Sequence, residues 1–304
     1  MLNLERLRLL HAIGTYGSVT AAADVLHVTT SAVSQQMAKL EREVGQPLLE
    51  RNGRGVRLTS AADLLVGHAG RILALVKAAE ADLEAHRDLV YGHLSLAAFA
   101  TAARGLLPQA LQTLRTHHPE LAVELTEMEP DEALTLISRG TLDVAVVQDW
   151  TNAPLTIPDG LHRAPLLDDV VDVALPADHP LAGRHELNLE DLAAEPWISW
   201  THGSVCTDWL LHMLRTKGHE PHIAHTAAEH PTQLALVAAG LGVTVVPRLG
   251  RGVLPDGVLT LPVSPTLTRH VYAAWRADAA RRPAIRATLS ALRDAAEQGL
   301  PSAR

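Results

Sequence analysis

Most of the local structure near the amino terminus can be inferred from residues 17–62, which read GSVTAAADVLHVTTSAVSQQMAKLEREVGQPLLERNGRGVRLTSAA. Ser18 is placed to cap one short helix, and Thr29 is placed to cap a second helix that Gly45 ends. An amphipathic helix, predicted to end near Gly14, precedes them. Two short helices joined by a tight connection are typical of a helix-turn-helix.

The helix that begins at Thr29 has the side chains that a major-groove reader needs. Val33, Met37 and Leu40 form its buried stripe, so hydroxyl groups and one amide remain on the outer face of its first turns. Glutamine can pair with adenine, and hydroxyls can bond several base edges. The glycine-rich hairpin at 52–58 and the nearby basic residues suit phosphate contacts. The alternative is a small helical bundle with a solvated polar face. The residues predicted to contact DNA are Ser18, Thr29, Thr30, Ser31, Ser34, Gln35, Lys39, Arg51, Arg54 and Arg57.

A long helix is predicted over residues 59–88, where no proline occurs. Its apolar residues recur at alternating spacings of four and three, which indicates a heptad seam. A seam this narrow favours packing against a second copy of the helix; packing against its own domain is the alternative. Dimerisation would hold two DNA-reading helices about one DNA turn apart, so the target site should have dyad symmetry. The seam residues are Leu65, Ala69, Ile72, Val76, Ala79 and Leu83.

From residue 91 the pattern changes to short apolar runs that alternate with helical ones. The runs at 93–99, 122–128 and 142–147 are predicted strands, with helices at 106–116 and 131–139 between them. Alternation of this kind predicts a parallel sheet covered by helices. Further strands are predicted at 170–175, 197–200, 223–227, 242–246 and 268–275, and further helices at 189–193, 207–216, 231–239 and 283–296.

Residues 17–62 resemble the amino-terminal signature of the LysR-type transcriptional regulators. The resemblance includes the turn, the DNA-reading helix, the Glu-Arg before the hairpin and the Leu-Thr after it. The second half of the chain resembles the effector-binding domain of the same family, which is similar to periplasmic binding proteins. The matching pieces there are HPEL at 118–121, GTLDVA at 140–145, HPLA at 179–182 and AGLGVTVVP at 239–247.

The resemblance implies an α/β chain with three parts. These are a winged helix-turn-helix at 1–60, a linker and dimerisation helix at 61–90, and a two-lobed α/β effector-binding domain at 91–304. Lobe I would contain 91–163 and 266–304, and lobe II would contain 164–265. The implied function is ligand-responsive, DNA-binding regulation of transcription by homodimers that assemble into a homotetramer. The expected partners are double-stranded operator DNA and a small-molecule effector, with RNA polymerase as a further candidate.

The effector site is expected between the lobes, beyond the carboxyl ends of the strands. Free backbone N–H groups at helix starts near Thr101 and Ser204 favour an anionic group on the effector. The residues that the strand assignments place there are Ala100, Thr101, Met128, Gln148, Ser199, Trp200, Thr201, His202, Glu229 and Thr232.

Composition limits the class of protein. The chain has 304 residues, 47% of them hydrophobic and 20% charged, which is typical of globular proteins. The net charge is −8, yet residues 1–60 carry a net charge of +2, so the two ends are expected to bind different partners. One cysteine rules out an internal disulfide. The apolar runs are too short to span a bilayer and the start is not a signal peptide, so a cytoplasmic, nucleoid-associated protein without a membrane partner is expected.

Other chemistry is less well supported by the sequence. Although there are seventeen histidines, their spacing gives no preformed metal-ligand pair, and neither a metal nor a cofactor is expected. Cys206 follows a predicted strand near a helix start, so a thiol-responsive regulator is one alternative, although no second cysteine can resolve an oxidised one. The absence of nucleophile-elbow, phosphate-loop and zinc-protease motifs argues against an enzyme. A ligand-independent architectural DNA binder is the other alternative.

Overall fold

The computed structural model of the protein describes residues 2–52, 55–86, 90–201 and 203–299. The chain divides into two compact units, Met1–Asp88 and Leu89–Arg304. Within the described ranges, none of the helices combines the length and the apolar character that crossing a membrane would require.

The amino-terminal unit has the predicted winged helix-turn-helix fold followed by a long helix. Leu10, Val33, Met37 and Leu40 form the centre of its core and are almost completely buried. Its elements are α1 (Leu4–Tyr16), α2 (Val19–Val25), α3 (Thr30–Val44), β1 (Leu49–Asn52), β2 (Gly55–Leu58) and α4 (Ser60–His86).

Helix α1 continues past Gly14, where the sequence predicted its end, and stops at Tyr16 with Gly17 in the left-handed conformation (φ 73°). Gly14 has a packing role instead. A Cβ atom added to it would lie 2.9 Å from both methyl carbons of Val66 on α4. The missing side chain therefore allows α1 and α4 to approach closely.

Helix α4 has two differently packed parts. Ala62 and Ala69 are completely buried within the amino-terminal unit, and a Cβ added to Gly70 would lie 3.1 Å from Nε2 of His11 on α1. Beyond this point the helix exposes large apolar side chains, including Leu75 (72% exposed). The first turns thus pack one face against the helix-turn-helix, while the later turns present an apolar surface.

The carboxy-terminal unit is an α/β structure with two lobes. Its helices are α5 (Ala100–Gly105), α6 (Leu107–His117), α7 (Pro130–Arg139), α8 (Val205–Arg215), α9 (His230–Ala238) and α10 (Pro283–Gly299). Its strands are β3 (Gly92–Ala98), β4 (Leu121–Glu127), β5 (Val144–Trp150), β6 (Leu161–Pro176), β7 (Pro196–Ser199), β8 (His222–Thr226), β9 (Thr244–Pro247), β10 (Val258–Leu261) and β11 (Leu267–Arg276).

One sheet runs through both lobes in the order β10-β6-β11-β5-β3-β4, with β9 also paired to β6. Strand β3 pairs in parallel with β4 and β5, as the strand-helix alternation predicted. Strands β6 and β11 are antiparallel and adjacent, and they form the two connections between the lobes. The parallel pair β7 and β8 belongs to the second lobe, where a bridge between Trp197 and Val243 links β7 to the start of β9.

Packing shows where the two crossing strands pass from one lobe to the other. On β6, Leu167 packs in the first-lobe core and Val171 in the second. On β11, Leu267 packs in the second-lobe core and Val271 in the first. The crossing therefore lies inside both strands, a few residues beyond the boundaries at 163 and 266 that the sequence suggested.

Trp150, the last residue of β5, belongs to the first lobe but is buried in the core of the second. Its ring stacks on that of Trp209 of α8, with centroids 3.8 Å apart and planes inclined by 15°. Nearby, Asn152 Nδ2 lies 3.0 Å from the sulfur of Met213, which is also on α8. The two lobes are therefore in direct contact at the end of β5.

Candidate functional site

The first turns of α3 present the predicted polar surface. Thr29 caps the helix by accepting a hydrogen bond from Ala32 N at 3.2 Å, and Ser34 Oγ donates to Thr30 O at 2.9 Å. Ser18 has the same capping role in α2, where it accepts from Ala21 N at 3.0 Å. The exposed residues on this surface are Thr29, Thr30, Ser31, Ser34, Gln35 and Lys39.

Gln35 is the best placed of these residues to read a base. Ser18, Thr29 and Ser34 already use their hydroxyl groups within the fold, whereas no protein partner of the Gln35 amide is found among the described residues. An exposed amide with free donor and acceptor groups can pair with a base edge in the major groove.

The wing is an antiparallel hairpin in which Arg51 is opposite Val56 and Asn52 is opposite Gly55. Arg57 donates from Nε to Glu50 Oε1 at 2.9 Å, and its Nη2 contacts the same oxygen. Part of the Arg57 charge is therefore neutralised within the wing. The predicted contact Arg54 lies outside the described residues, as does the side chain of Arg51.

Glu41 positions the wing, a role that the sequence analysis missed. Its Oε1 accepts hydrogen bonds from Leu48 N at 2.8 Å and from Leu49 N at 3.0 Å. The carboxylate thereby joins the last turns of α3 to the start of β1.

The residues of the predicted heptad seam differ in burial, some being packed inside their own unit and others exposed. Ala69 is completely buried inside its own unit, so the prediction that it faces a second chain is corrected, and Leu65 is half-buried against the same core. Ile72, Ala79 and Leu83 are exposed, while Val76 is half-buried. Two exposed leucines outside the predicted seam, Leu64 and Leu75, extend this apolar surface.

Arg269 lies where β6 and β11 cross between the lobes, at the position of the predicted inter-lobe cleft. It is almost fully buried, and Asp169 is its neighbour across the two strands. Its Nε donates to Asp169 Oδ2 at 2.8 Å, its Nη1 to Gln148 Oε1 at 2.5 Å and its Nη2 to Thr101 Oγ1 at 2.6 Å. Burial lowers the pKa of Arg269, and the adjacent Asp169 opposes this shift. Two predicted effector residues, Thr101 and Gln148, are therefore brought together by an arginine that was not predicted.

Cys206 lies beside this cluster. Its sulfur is 3.7 Å from Gln148 Nε2, and burial raises the pKa of the Cys206 thiol to about 12. A thiol with this pKa is protonated at neutral pH, which is the opposite of an activated cysteine.

The remaining predicted effector residues occupy different environments. Ser199 is buried, with its Oγ 3.0 Å from Thr207 Oγ1, and Trp200 packs edge-on against His230 with ring centroids 5.1 Å apart. Thr201, Glu229 and Thr232 are exposed, Ala100 and Met128 are half-buried, and His202 lies outside the described residues. Ser199 therefore supports the fold, because its hydroxyl bonds to α8.

Two charged or polar residues near the cleft were missed. Arg104 of α5 donates from Nε to Gly250 O at 3.2 Å, which joins the first lobe to the loop after β9. Nε2 of His230, the first residue of α9, is a buried polar atom without a hydrogen-bond partner among the described residues. Neither residue belongs to a sequence motif, so only the three-dimensional structure identifies them.

A separate groove of about 520 Å³ lies on the first lobe between α6 and β4. Its lining is mainly apolar and includes Leu111, Leu121 and Val123, with Arg115 at one side. Strand β4 is at the end of the sheet order, so one of its edges has no partner strand in the part of the chain that the structure describes. Among the described residues, no group of three or more His, Cys, Asp and Glu side chains is placed to hold a metal ion.

Two family descriptions match the chain. Residues 4–63 match the bacterial regulatory helix-turn-helix protein of the lysR family, and residues 87–297 match the LysR substrate binding domain. The hydrogen peroxide-inducible genes activator of Pectobacterium carotovorum is 31% identical over 263 residues, which are 86% of this chain and 85% of that protein. The regulator MetR of Salmonella typhimurium is 28% identical over 306 residues, covering 100% and 94%.

Solved structures agree with this fold. A full-length OxyR variant from Pseudomonas aeruginosa superposes with a TM-score of 0.70 at 24% identity, covering 96% of this chain and 98% of that one. Full-length CbnR in complex with its target DNA gives a TM-score of 0.57 at 25% identity, covering 97% and 100%.

Proposed function

Because this chain belongs to the LysR family of DNA-binding transcription regulators, we propose that its paired α3 helices read a dyad-symmetric operator under the control of a small effector bound between its two lobes. The observation that carries the DNA-binding part is the surface of α3. That surface exposes the Gln35 amide and hydroxyl groups above a fully apolar buried stripe.

Dimerisation through α4 supports the pairing of two DNA-reading helices. The later turns of α4 expose Ile72, Leu75 and Leu83, which together form an apolar surface that is unusual for a solvated helix. A second copy of α4 packed on this surface would bury the leucines and provide the two-fold axis that a dyad operator requires.

A second contact between copies is proposed at the groove between α6 and β4. An unpaired strand edge next to an apolar groove is a surface that proteins normally cover. Pairing two such faces in addition to the α4 contact would build the homotetramer. RNA polymerase remains a proposed partner of the assembled regulator, and the location that follows from operator binding is the cytoplasm, at the nucleoid.

Effector control is proposed to act on the relative arrangement of the two lobes. Strands β6 and β11 connect the lobes, and Arg269 of β11 bonds to Asp169 of β6 and to Thr101 of the first lobe. An effector that prefers one lobe arrangement shifts the population toward it, by an amount set by its difference in affinity. No catalytic step is assigned to the cleft.

The buried, protonated Cys206 does not favour the thiol-responsive alternative. A sensor thiol must reach its oxidant as a thiolate, and neither condition is met by a thiol that is buried and has a pKa of about 12.

Genomic capture tests the proposal. Purified full-length protein is mixed with fragmented DNA of its own genome at moderate salt, and the bound fragments are sequenced. Enrichment of a few fragments that share a dyad-symmetric sequence is the expected result. Binding of all fragments in proportion to their length would overturn site-specific regulation, because phosphate contacts alone carry no sequence information.

A further inference from the structure

His230 has a hydrogen-bonding atom that the fold leaves unused. The residue is only 5% exposed, its ring lies edge-on to Trp200, and Nε2 has no partner among the described residues. Polar atoms in protein interiors are almost always paired, so an unpaired one calls for a specific explanation, such as a bound molecule.

Parallel strands place this ring at the edge of the second lobe that Arg104 contacts, because β7 runs parallel both to β8 and to the start of β9. Trp200, the start of α9 and the loop at Gly250 therefore all follow carboxyl ends of these strands, and Arg104 donates to Gly250 O. Burial lowers the pKa of His230 to about 3, and the positive charges of Arg269 and Arg104 act in the same direction. Its ring is therefore neutral at physiological pH and can present Nε2 as an N–H donor.

Arg104 is the cation of this region that still has donors available. Its Nε bonds to Gly250 O, whereas no partner of Nη1 or Nη2 is found in the part of the chain that the structure describes. Arg269 differs, because all three of its nitrogens bond to Asp169, Gln148 and Thr101.

We propose that Arg104 and His230 form a subsite for an oxyanion group of the effector, a carboxylate or a phosphate, with one lobe on each side. The planar guanidinium group matches the geometry of such groups. The start of α9 adds a partial positive charge, although Pro231 lacks a backbone N–H and the exposed Glu229 carries the opposite charge. The subsite rests on the proposed effector control of the cleft and gives it a mechanism, since an oxyanion held from both sides would draw the lobes together.

Nuclear magnetic resonance of the full-length protein labelled with ¹³C-histidine tests this subsite directly. The probes are acetate, inorganic phosphate and, as a cation control, methylammonium, all at constant ionic strength. The Cε1–Hε1 signal of His230, assigned by its loss in His230→Gln, should shift saturably with acetate or phosphate and stay in place with methylammonium. A shift of the His230 signal with acetate alone would identify a carboxylate site, and a shift with phosphate alone would identify a phosphate site.

Variants distinguish specific recognition of the anion from a general effect of positive charge on the protein. Arg104→Gln should weaken anion binding by about tenfold or more, because it removes a charged donor, while the exposed-residue controls Arg293→Gln and His222→Gln should bind as the wild type does. A His230 signal that moves with neither anion would overturn the proposal, as would anion binding that survives in both Arg104→Gln and His230→Leu. If Arg104→Gln fails to fold, the wild-type His230 signal, assigned with His230→Gln, still decides the question. Genomic capture uses a different readout, so operator binding can succeed while this subsite fails.

Discussion

The guanidinium group of Arg269 stabilises the carboxy-terminal unit by neutralising a buried carboxylate at the crossing of two strands. Replacing it in Arg269→Met leaves Asp169 buried without its cation, so the free energy of unfolding should fall by about 3–5 kcal/mol. Denaturant unfolding followed by circular dichroism measures the change. Arg215→Met, which removes an exposed ion pair with Glu220, is the control and should have little effect. Equal losses in the two variants would contradict the importance of burial.

Gln35 should determine one base of the operator. Gln35→Ala is expected to lose about 1–3 kcal/mol of discrimination at that base pair, because the exposed amide is removed while the fold of α3 is retained. Competition binding with operators changed at single positions measures this loss. Lys39→Ala is the control: it should weaken binding to all sequences alike and reduce the salt dependence. If Gln35→Ala lost the same affinity for every DNA sequence, Gln35 would contact the DNA backbone instead of a base.

Cys206 should be unreactive in the folded protein. The ordinary thiol pKa of 9.0 is raised to about 12 by burial, so the folded state favours the protonated thiol. Its stability should fall as the pH rises above 9.0, since the unfolded chain loses this proton first. Alkylation by iodoacetamide at neutral pH should be much slower for native than for unfolded protein. Equal rates, or loss of operator control by peroxide in wild type but not in Cys206→Ser, would restore the redox alternative.

Sequence reasoning located some cleft residues and not others for a physical reason. Thr101 and Gln148 follow from strand ends, which local hydrophobic patterns reveal. Arg269 does not, because its partners Thr101 and Gln148 are 168 and 121 positions away along the chain. Which distant polar groups meet a buried charge depends on the three-dimensional register of β5, β6 and β11.

At the level of elements, α4 should form the contact between two copies of the chain. Leu75→Asp places a charge on the exposed apolar surface and should break the α4 contact, because a buried unpaired charge is costly. The proposed tetramer should then fall to dimers that are joined only at the groove between α6 and β4. Light scattering measures the mass. Val253→Asp, at a side chain that is 96% exposed on the other unit, is the control and should leave the mass unchanged. A tetramer that persists in Leu75→Asp would contradict an interface on α4.

Elements with local signals were predicted well, and those without were not. Capping residues and apolar periodicity identified α2, α3 and α4. Strand β6 is far longer than its predicted 170–175 segment, because residues 161–169 mix charged and apolar side chains and are ordered by pairing with β11. Strand β10 was missed, since it is short and its pairing depends on β6, which is distant along the chain.

At the scale of the whole carboxy-terminal unit, the contact between Gly105 and Gly250 sets how closely the lobes approach. A Cβ added to Gly250 would lie 2.3 Å from Thr101 O, in a backbone with φ 65°. Gly250→Ala should therefore destabilise the protein more than Gly252→Ala, which has a similar φ of 73° but open space around the added atom. The backbone conformation alone costs about 1–2 kcal/mol, so thermal unfolding of both variants isolates the steric contribution. Equal thermal unfolding midpoints in the two variants would mean that the lobes can move apart to accommodate the added methyl group without a loss of stability.

The stacked rings of Trp150 and Trp209 also give this protein an optical reporter of its own. The two indoles come from opposite lobes and lie close enough for their ultraviolet transitions to couple. Their coupled signal in near-ultraviolet circular dichroism should change whenever the lobes separate or rotate. A metabolite could thus be recognised as an inducer from the spectrum of unlabelled protein, before any gene that it controls is known.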